Sequence, residues 1–177
     1  MLVFLVGMPA AGKTTLGRKL ALDTKLPFFD TDELIEQVYN TSISSFFEQV
    51  GEEAFRVIER EILLGLIDKQ SVAIIATGGG LPCFFDNMDK MNEAGKTIYV
   101  DTPQKTIISR LLADKNRPLV QKLLKNTENE LADDEKKAVL TEYIAKTAEK
   151  RRFFYEKAQI CLSFEEGIDK STFIEHL

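Results

Sequence analysis

The chain has 177 residues, of which 44% are hydrophobic and 29% are charged, proportions typical of a soluble globular protein with one hydrophobic core. Its 28 acidic side chains outnumber its 23 lysines and arginines, and the resulting net charge of -5 argues against a nucleic-acid-binding protein, which would carry a basic excess. No apolar run approaches the length of a membrane-spanning helix. We expect a single domain over residues 1–177 that acts in the cytoplasm as a monomer.

Cysteine and histidine are scarce in this sequence. The two cysteines are Cys83 and Cys161, and the only histidine is His176. Their positions do not have the spacing of a zinc site or of a disulfide framework. The expectation is therefore two buried, unpaired thiols in a reducing compartment.

Short apolar runs alternate with longer amphipathic ones along the chain. The apolar runs are predicted strands, at residues 2–6, 27–29, 71–76, 97–100 and 160–163. The amphipathic runs are predicted helices, at residues 12–22, 33–39, 52–67, 86–93, 103–112, 140–157 and 172–177. Such alternation predicts a three-layer α/β sandwich with a five-stranded parallel sheet. The weakly periodic, charged segment 114–134 is a candidate for a mobile lid, which we place at about residues 113–130.

The turn after the first predicted strand has the pattern G-x-x-x-x-G-K-T, from Gly7 to Thr14. In a strand–loop–helix setting the backbone N–H groups of this pattern surround phosphate groups, a lysine (Lys13) contacts the phosphate oxygens, and a threonine (Thr14) offers its hydroxyl to Mg²⁺. The loop predicts binding of a nucleoside triphosphate by Pro9, Ala10, Ala11, Gly12, Lys13, Thr14 and Thr15. Ala10 replaces a glycine common in such loops, a costly replacement if the backbone there has positive φ.

Two carboxylates follow the second predicted strand, Asp30 and Asp32. Ligands of open parallel sheets bind at the carboxyl ends of the strands. If the chain stays extended, residues two apart point the same way, so one carboxylate can face Mg²⁺ and the other an acceptor hydroxyl. The alternative is that Asp32 caps the following helix.

Two arginines and a glycine triplet complete the set of candidate site residues. Arg56 lies on the predicted helix 52–67, Gly78, Gly79 and Gly80 follow the third strand, and Arg151 lies near the end of a late helix. Arginine binds carboxylates with two parallel hydrogen bonds, and glycines leave room for a ligand against the backbone. Each also has a structural explanation: a solvated ion pair with a neighbouring glutamate for Arg56, a solvated basic patch for Arg151, and a tight turn for the glycines.

Taken in order, these segments resemble the shikimate kinase family. The resemblance rests on the phosphate loop, Asp30-Thr31-Asp32, GEEAFR at 51–56, ATGGG at 76–80, Arg117-Pro118-Leu119 and the R-x-x-x-Y segment 151–155. It extends to about residue 160. It implies the P-loop fold of nucleoside-monophosphate kinases, with a five-stranded parallel sheet, a substrate-binding helical segment at about residues 33–61 and a lid.

The resemblance also implies roles for individual residues. Asp32 would hold the ring hydroxyls of shikimate and act as the base, and Asp30 would steady the water shell of Mg²⁺. Arg56 and Arg151 would bind the substrate carboxylate, and Arg151 is chosen over Arg152 because it lies four residues before Tyr155. Gly79, between Gly78 and Gly80, would contact the substrate through its backbone, and Arg117 would reach the ATP phosphates from the lid and offset charge in the transition state.

The reaction implied is transfer of the γ-phosphate of MgATP to the 3-hydroxyl of shikimate, a step in chorismate and aromatic amino acid biosynthesis. Two alternatives remain open on the residues alone. One is a P-loop kinase for another small acid or nucleotide, such as gluconate, and the other is a non-catalytic nucleotide-binding module. The segment 122–137 is longer and more charged than a compact lid, and no residue is assigned to adenine.

Overall fold

The computed structural model describes residues 1–113 and 132–163. Within these ranges one sheet contains five strands, β1 (Leu2–Val6), β2 (Phe28–Asp30), β3 (Ala73–Ala76), β4 (Gly95–Asp101) and β5 (Ile160–Ser163). Adjacent strands pair in parallel in the order β2-β3-β1-β4-β5. The predicted five-stranded parallel sheet is confirmed.

Six α-helices connect the strands in the described ranges: α1 (Lys13–Thr24), α2 (Thr31–Tyr39), α3 (Ile43–Lys69), α4 (Asn87–Ala94), α5 (Gln104–Ala113) and α6 (Asp133–Tyr155). A short 3₁₀ turn, Leu81–Cys83, follows β3. All five residues of β1 are buried, although successive side chains of a strand point to opposite faces. Both faces of the sheet centre are therefore covered, as the three-layer prediction requires. The predicted helix 172–177 lies outside the described residues.

A second, smaller apolar cluster lies between α2 and α3. Ile35 of α2 packs there with Phe46 and Phe55 of α3, and all three side chains are buried. The cluster joins the two helices of the segment 33–61 into one packed unit beside the sheet.

The sequence prediction missed the first parts of helices α3 and α6. Helix α3 begins at Ile43, where Ser42 Oγ accepts a hydrogen bond from Ser45 N at 3.2 Å. Gly51, at φ 80 and ψ 170, interrupts α3. The part after Gly51 matches the start of the helix predicted at 52–67, whereas the part before it was not predicted, although its apolar residues at 43, 46, 47 and 50 have helical spacing. Helix α6 begins at Asp133, whereas the predicted start was residue 140. The prediction missed the first turns because they are exposed and highly charged and carry no apolar stripe.

The expectation of two buried thiols is wrong. Cys83 is half-buried and Cys161 is exposed. Cys161 lies on β5, which pairs with β4 and with no other strand of the described residues. Among the helices of residues 1–113 and 132–163, none has the length and apolar character needed to cross a membrane.

Candidate active site

The candidate site lies where β1, β2 and β3 end. In the strand order of the sheet, β2 and β3 lie on one side of β1, and β4 and β5 lie on the other side. The chain therefore moves in one direction from β1 to β2 and in the opposite direction from β3 to β4. Such a reversal opens a crevice at the carboxyl ends of the strands. The phosphate loop, Asp30 and the glycine triplet follow β1, β2 and β3 respectively, so the fold brings these three sequence signals together.

The phosphate loop is held by hydrogen bonds to its carbonyl oxygens. Lys13 Nζ donates to Gly7 O at 2.9 Å and to Met8 O at 2.8 Å. Thr102 Oγ1 donates to Ala11 O at 2.9 Å. With these carbonyls engaged, the loop can present N–H groups to an anion.

Helix α5 contributes a further hydrogen bond to the phosphate loop. Arg110 Nη1 donates to Ala10 O at 2.9 Å, and it lies 3.2 Å from the position that a Cβ on Gly12 would occupy. Sequence reasoning missed Arg110, because it belongs to no local pattern and its partner is far away in the chain. Ala10 itself has φ 62, so it does adopt the left-handed conformation that favours glycine, at a cost of about 1 kcal/mol.

Asp30 joins the phosphate loop to helix α2. Its Oδ2 accepts a hydrogen bond from Thr14 Oγ1 at 2.7 Å, while its Oδ1 accepts from the backbone N–H groups of Asp32 at 3.0 Å and Glu33 at 3.4 Å. Asp30, not Asp32, is thus the N-cap of α2. The extended Asp30–Asp32 segment expected from the sequence is also wrong, because the helix begins at Thr31.

The Thr14–Asp30 pair has the chemistry of a magnesium site. A hydroxyl and a carboxylate oxygen are both hard donors, and Mg²⁺ in nucleotide sites binds through one or two protein oxygens together with phosphates and water. The fold places these two oxygens 2.7 Å apart at the start of α1, next to Lys13.

Asp32 lies in the first turn of α2 and has a strongly perturbed carboxyl group. Burial, followed by the nearby negative charges of Asp30 and Glu59, raises the pKa of Asp32 to about 7, against a smaller lowering by Lys13. A carboxyl group whose pKa lies near neutral pH is well matched to accepting a proton from a hydroxyl.

The glycine triplet makes room for side chains of the site. A Cβ on Gly78 would lie 2.5 Å from Asp32 Oδ1 and 2.9 Å from Glu59 Oε1. A Cβ on Gly80 would lie 2.6 Å from Arg56 Nη1. The glycines therefore allow these charged groups to come close to the backbone after β3, and a larger residue would displace them.

Arg56 is an ion-pair partner, but it is not solvated. Its side chain is 11% exposed, Nη1 donates to Glu59 Oε2 at 2.6 Å, and Nη2 donates to Glu52 Oε1 at 3.1 Å. The Glu59 side chain is only 2% exposed. Burial raises the pKa of Glu59, and Arg56 counteracts that rise. Sequence reasoning did not assign Glu59 to the site, although its spacing of three residues from Arg56 is that of a helical ion pair.

The neighbouring arginines near the end of α6 have different surroundings. Arg152 is exposed and donates from Nε to Glu156 Oε1 at 2.6 Å. Arg151 is half-buried and lies close enough to Glu59 to lower the pKa of that carboxyl group. Arg151 and Arg56 therefore lie near the same buried glutamate, whereas Arg152 does not belong to this group.

Tyr155 connects the end of α6 to the rest of the site. Its buried hydroxyl donates to Gly79 O at 2.6 Å, and its ring stacks on Tyr99 of β4 at 5.3 Å between centroids. Burial raises the pKa of Tyr155, and Arg151 acts in the opposite direction. The tyrosine thus fixes the helix turn that carries Arg151 against the glycine triplet. Arg117 and most of the predicted lid, at about 113–130, lie outside the described residues.

Comparison with known proteins shows that the chain is similar to one family. The family model for shikimate kinase matches residues 9–169 of the chain. A shikimate kinase of Parabacteroides distasonis is 42% identical over 170 residues, which cover 96% of this chain and 91% of the relative. Another, of Bacteroides fragilis, is 38% identical over 170 residues, which cover 96% of this chain and 88% of the relative.

Solved structures agree with the sequence relatives. The crystal structure of shikimate kinase from Bacteroides thetaiotaomicron superposes with a TM-score of 0.80 at 31% identity, covering 99% of this chain and 95% of that one. Shikimate kinase from Acinetobacter baumannii, solved in complex with shikimate, superposes with a TM-score of 0.80 at 30% identity, covering 99% and 89%.

Proposed function

The chain belongs to the shikimate kinase family, and we propose that it transfers the γ-phosphate of MgATP to the 3-hydroxyl of shikimate, giving shikimate 3-phosphate and ADP. The observation that carries this proposal is the pair Arg56 and Arg151 near one buried glutamate, next to Asp32 and the phosphate loop. The product serves chorismate and aromatic amino acid biosynthesis.

The acceptor end of the site is suited to a carboxylate. Arg56 is already held by Glu59 and Glu52, so little side-chain entropy remains to be lost when it binds a substrate. Arg151 adds a second cation near it. In a chain with a net charge of -5, two buried or half-buried cations at one point favour a small anionic acceptor. We assign the shikimate carboxylate to these arginines and a backbone contact to Gly79.

At the transfer end, the phosphate loop and Lys13 hold the triphosphate, and Thr14 with Asp30 would hold the metal. Mg²⁺, when bound, neutralises charge on the phosphate oxygens. Asp32 accepts the proton of the attacking hydroxyl, since its raised pKa places it close to the base strength needed at neutral pH. Because phosphoryl transfer passes through a loose transition state, most of the acceleration comes from positioning and charge.

The remaining assignments rest on the sequence pattern. Arg117 would contact the ATP phosphates from the lid at about 113–130, the segment 33–61 would bind the acceptor, and residues 1–177 would act as one cytoplasmic monomer. The packed cluster of α2 and α3 supports the assignment of 33–61 as one segment.

An acceptor screen with coupled detection of ADP release tests the proposal. With MgATP present, shikimate should stimulate ADP release strongly, whereas gluconate and nucleoside monophosphates should not. Asp32→Asn should reduce kcat with shikimate by at least about 100-fold, the contribution of a general base. Equal rates with other acceptors, or ADP release that does not respond to any acceptor, would contradict the assignment.

A further inference from the structure

The guanidinium group of Arg56 contacts two glutamates and several aromatic rings. Nη1 donates to Glu59 at 2.6 Å and Nη2 donates to Glu52 at 3.1 Å. Arg56 Cζ lies over the ring of Phe84, 4.3 Å from its centroid, and it is farther from the rings of Phe55 and Phe47, at 5.4 and 5.9 Å. Of these three rings, that of Phe84 is thus the nearest to the arginine.

The turn that presents Phe84 has an uncommon backbone. Phe84 is extended, and the next residue, Phe85, has φ 52, a left-handed conformation that a bulky aromatic residue rarely adopts. Phe85 is 58% exposed, so burial of its own ring does not account for this geometry. Phe85 lies between the 3₁₀ turn and α4, directly after the residue whose ring contacts Arg56.

Surrounding hydrogen bonds hold this turn in place. Asn87 is buried, and its Nδ2 donates to Leu81 O at 2.9 Å. Arg60, one helical turn after Arg56 on α3, donates to Asn87 Oδ1 at 3.0 Å and also pairs with Asp86. The helix that carries Arg56 therefore also anchors the turn that carries Phe84.

From this arrangement we infer that Phe84 is a positioning residue for the acceptor carboxylate, acting through Arg56. Contact with an aromatic ring restricts tilting of the guanidinium plane. Nη1 and Nη2 each donate to a glutamate, whereas the buried Nε has no hydrogen-bond partner among the described residues, so N–H groups remain for a carboxylate. The ring also keeps water away from the Arg56–Glu59 pair, which strengthens their interaction. This inference rests on the proposed function, since it takes Arg56 as a carboxylate-binding residue.

The test measures kcat and the KM values for shikimate and ATP in Phe84→Leu, which removes the ring but keeps an apolar side chain. The shikimate KM should rise about fivefold, which is about 1 kcal/mol at 1.4 kcal/mol per factor of ten, while the ATP KM stays within about twofold. Phe84→Tyr, which keeps the ring, should retain the wild-type KM. The matched control Phe85→Leu alters the exposed neighbour and should leave both KM values unchanged.

A double-mutant cycle shows whether Phe84 acts through Arg56. In an Arg56→Ala background, Phe84→Leu should change the shikimate KM by less than about twofold, because the interaction it supports is already gone. An unchanged KM in Phe84→Leu, or the same fivefold rise in the Arg56→Ala background, overturns the inference. If Phe84→Leu does not fold, as judged by circular dichroism, Phe84→Met takes its place in the same cycle.

The cycle also separates this inference from the proposed function. If Arg56→Ala raises the shikimate KM but Phe84→Leu does not, the arginine keeps its assignment and only the role of Phe84 is wrong. If Arg56→Ala leaves that KM unchanged, the carboxylate assignment fails and the role of Phe84 fails with it.

Discussion

The carboxylates of Asp32 and Glu59 lie against the same glycine, Gly78, where an added Cβ would come within 2.5 Å of Asp32 Oδ1 and 2.9 Å of Glu59 Oε1. Asp32 comes from α2 and Glu59 from α3, so two helices bring like charges toward one point of the backbone. This approach contributes to the raised pKa of Asp32, after burial and the charge of Asp30.

The first prediction concerns the pH dependence of turnover. Asp32 must be ionised to accept a proton, and its pKa is about 7 in the free protein, so kcat/KM for shikimate should fall as the pH drops through about 7. Glu59→Gln removes one neighbouring negative charge and should move this fall to lower pH. Asp32→Asn should abolish the dependence; if its residual activity follows the wild-type pH curve, another group is the base.

The same pKa predicts an effect on stability. A carboxyl group whose pKa is raised in the folded state disfavours folding once it ionises. The contribution of Asp32 to the free energy of unfolding is therefore fully present below pH 4 and is lost as the pH rises toward 7. Asp32→Asn should therefore raise the Tm at pH 8 more than at pH 4. Thermal unfolding at the two pH values measures this, and equal changes in Tm would contradict it.

A substitution at Asp30 can separate its two roles. Asparagine is as good an N-cap as aspartate, so Asp30→Asn should leave the free energy of unfolding within about 0.5 kcal/mol of the wild-type value. Asp30→Ala should lower it by about 1 kcal/mol. Loss of the charge beside Thr14 should raise the Mg²⁺ concentration for half-maximal activity by about tenfold in both variants. An unchanged Mg²⁺ requirement would remove Asp30 from the metal site.

The two adjacent arginines of α6 offer a matched pair. Arg151→Ala should raise the KM for shikimate by about 10- to 100-fold, the effect of losing a hydrogen bond to a charged group, with little change in the KM for ATP. Arg152→Ala removes an exposed ion pair with Glu156 and should leave both constants within about twofold. Steady-state kinetics of the two variants measures these constants. A larger rise of the shikimate KM in Arg152→Ala than in Arg151→Ala would assign the carboxylate to Arg152 instead.

The conformation of Ala10 predicts that one alanine-to-glycine change is stabilising. At φ 62, Ala10→Gly should relieve about 1 kcal/mol of backbone strain, partly offset by the greater freedom of glycine in the unfolded chain. Ala145→Gly, on the exposed face of α6, should instead destabilise the protein by about 1 kcal/mol. Urea unfolding of both variants measures the difference, and equal destabilisation would contradict the strain at Ala10.

Features with local causes could be predicted from the sequence. The phosphate loop follows from its glycines and its position between a strand and a helix, and strands β1 and β5 have the predicted bounds Leu2–Val6 and Ile160–Ser163. The apolar side chains of these two strands and the turn residues next to them are sufficient to predict where the strands begin and end. The order of the site segments along the chain was likewise enough to indicate the family.

Features that depend on distant contacts could not be predicted in this way. The cap of α2 is Asp30, not Asp32 as the sequence suggested, because the carboxylate of Asp30 accepts hydrogen bonds from the first turn of that helix. Arg110 and Phe84 contribute through Ala10 and Arg56, to which only the fold brings them close. The first part of α3 is a different case, because its apolar residues at 43, 46, 47 and 50 have helical spacing and could have been recognised.

The hydrogen bond from Tyr155 to Gly79 O has a consequence for biosynthesis of the protein. A ribosome releases Gly79 76 residues before Tyr155, and Leu140, Ile144 and Tyr155 of α6 are buried in the main core. The nascent chain therefore cannot complete either its core or the contact at the glycine triplet until α6 has been synthesised.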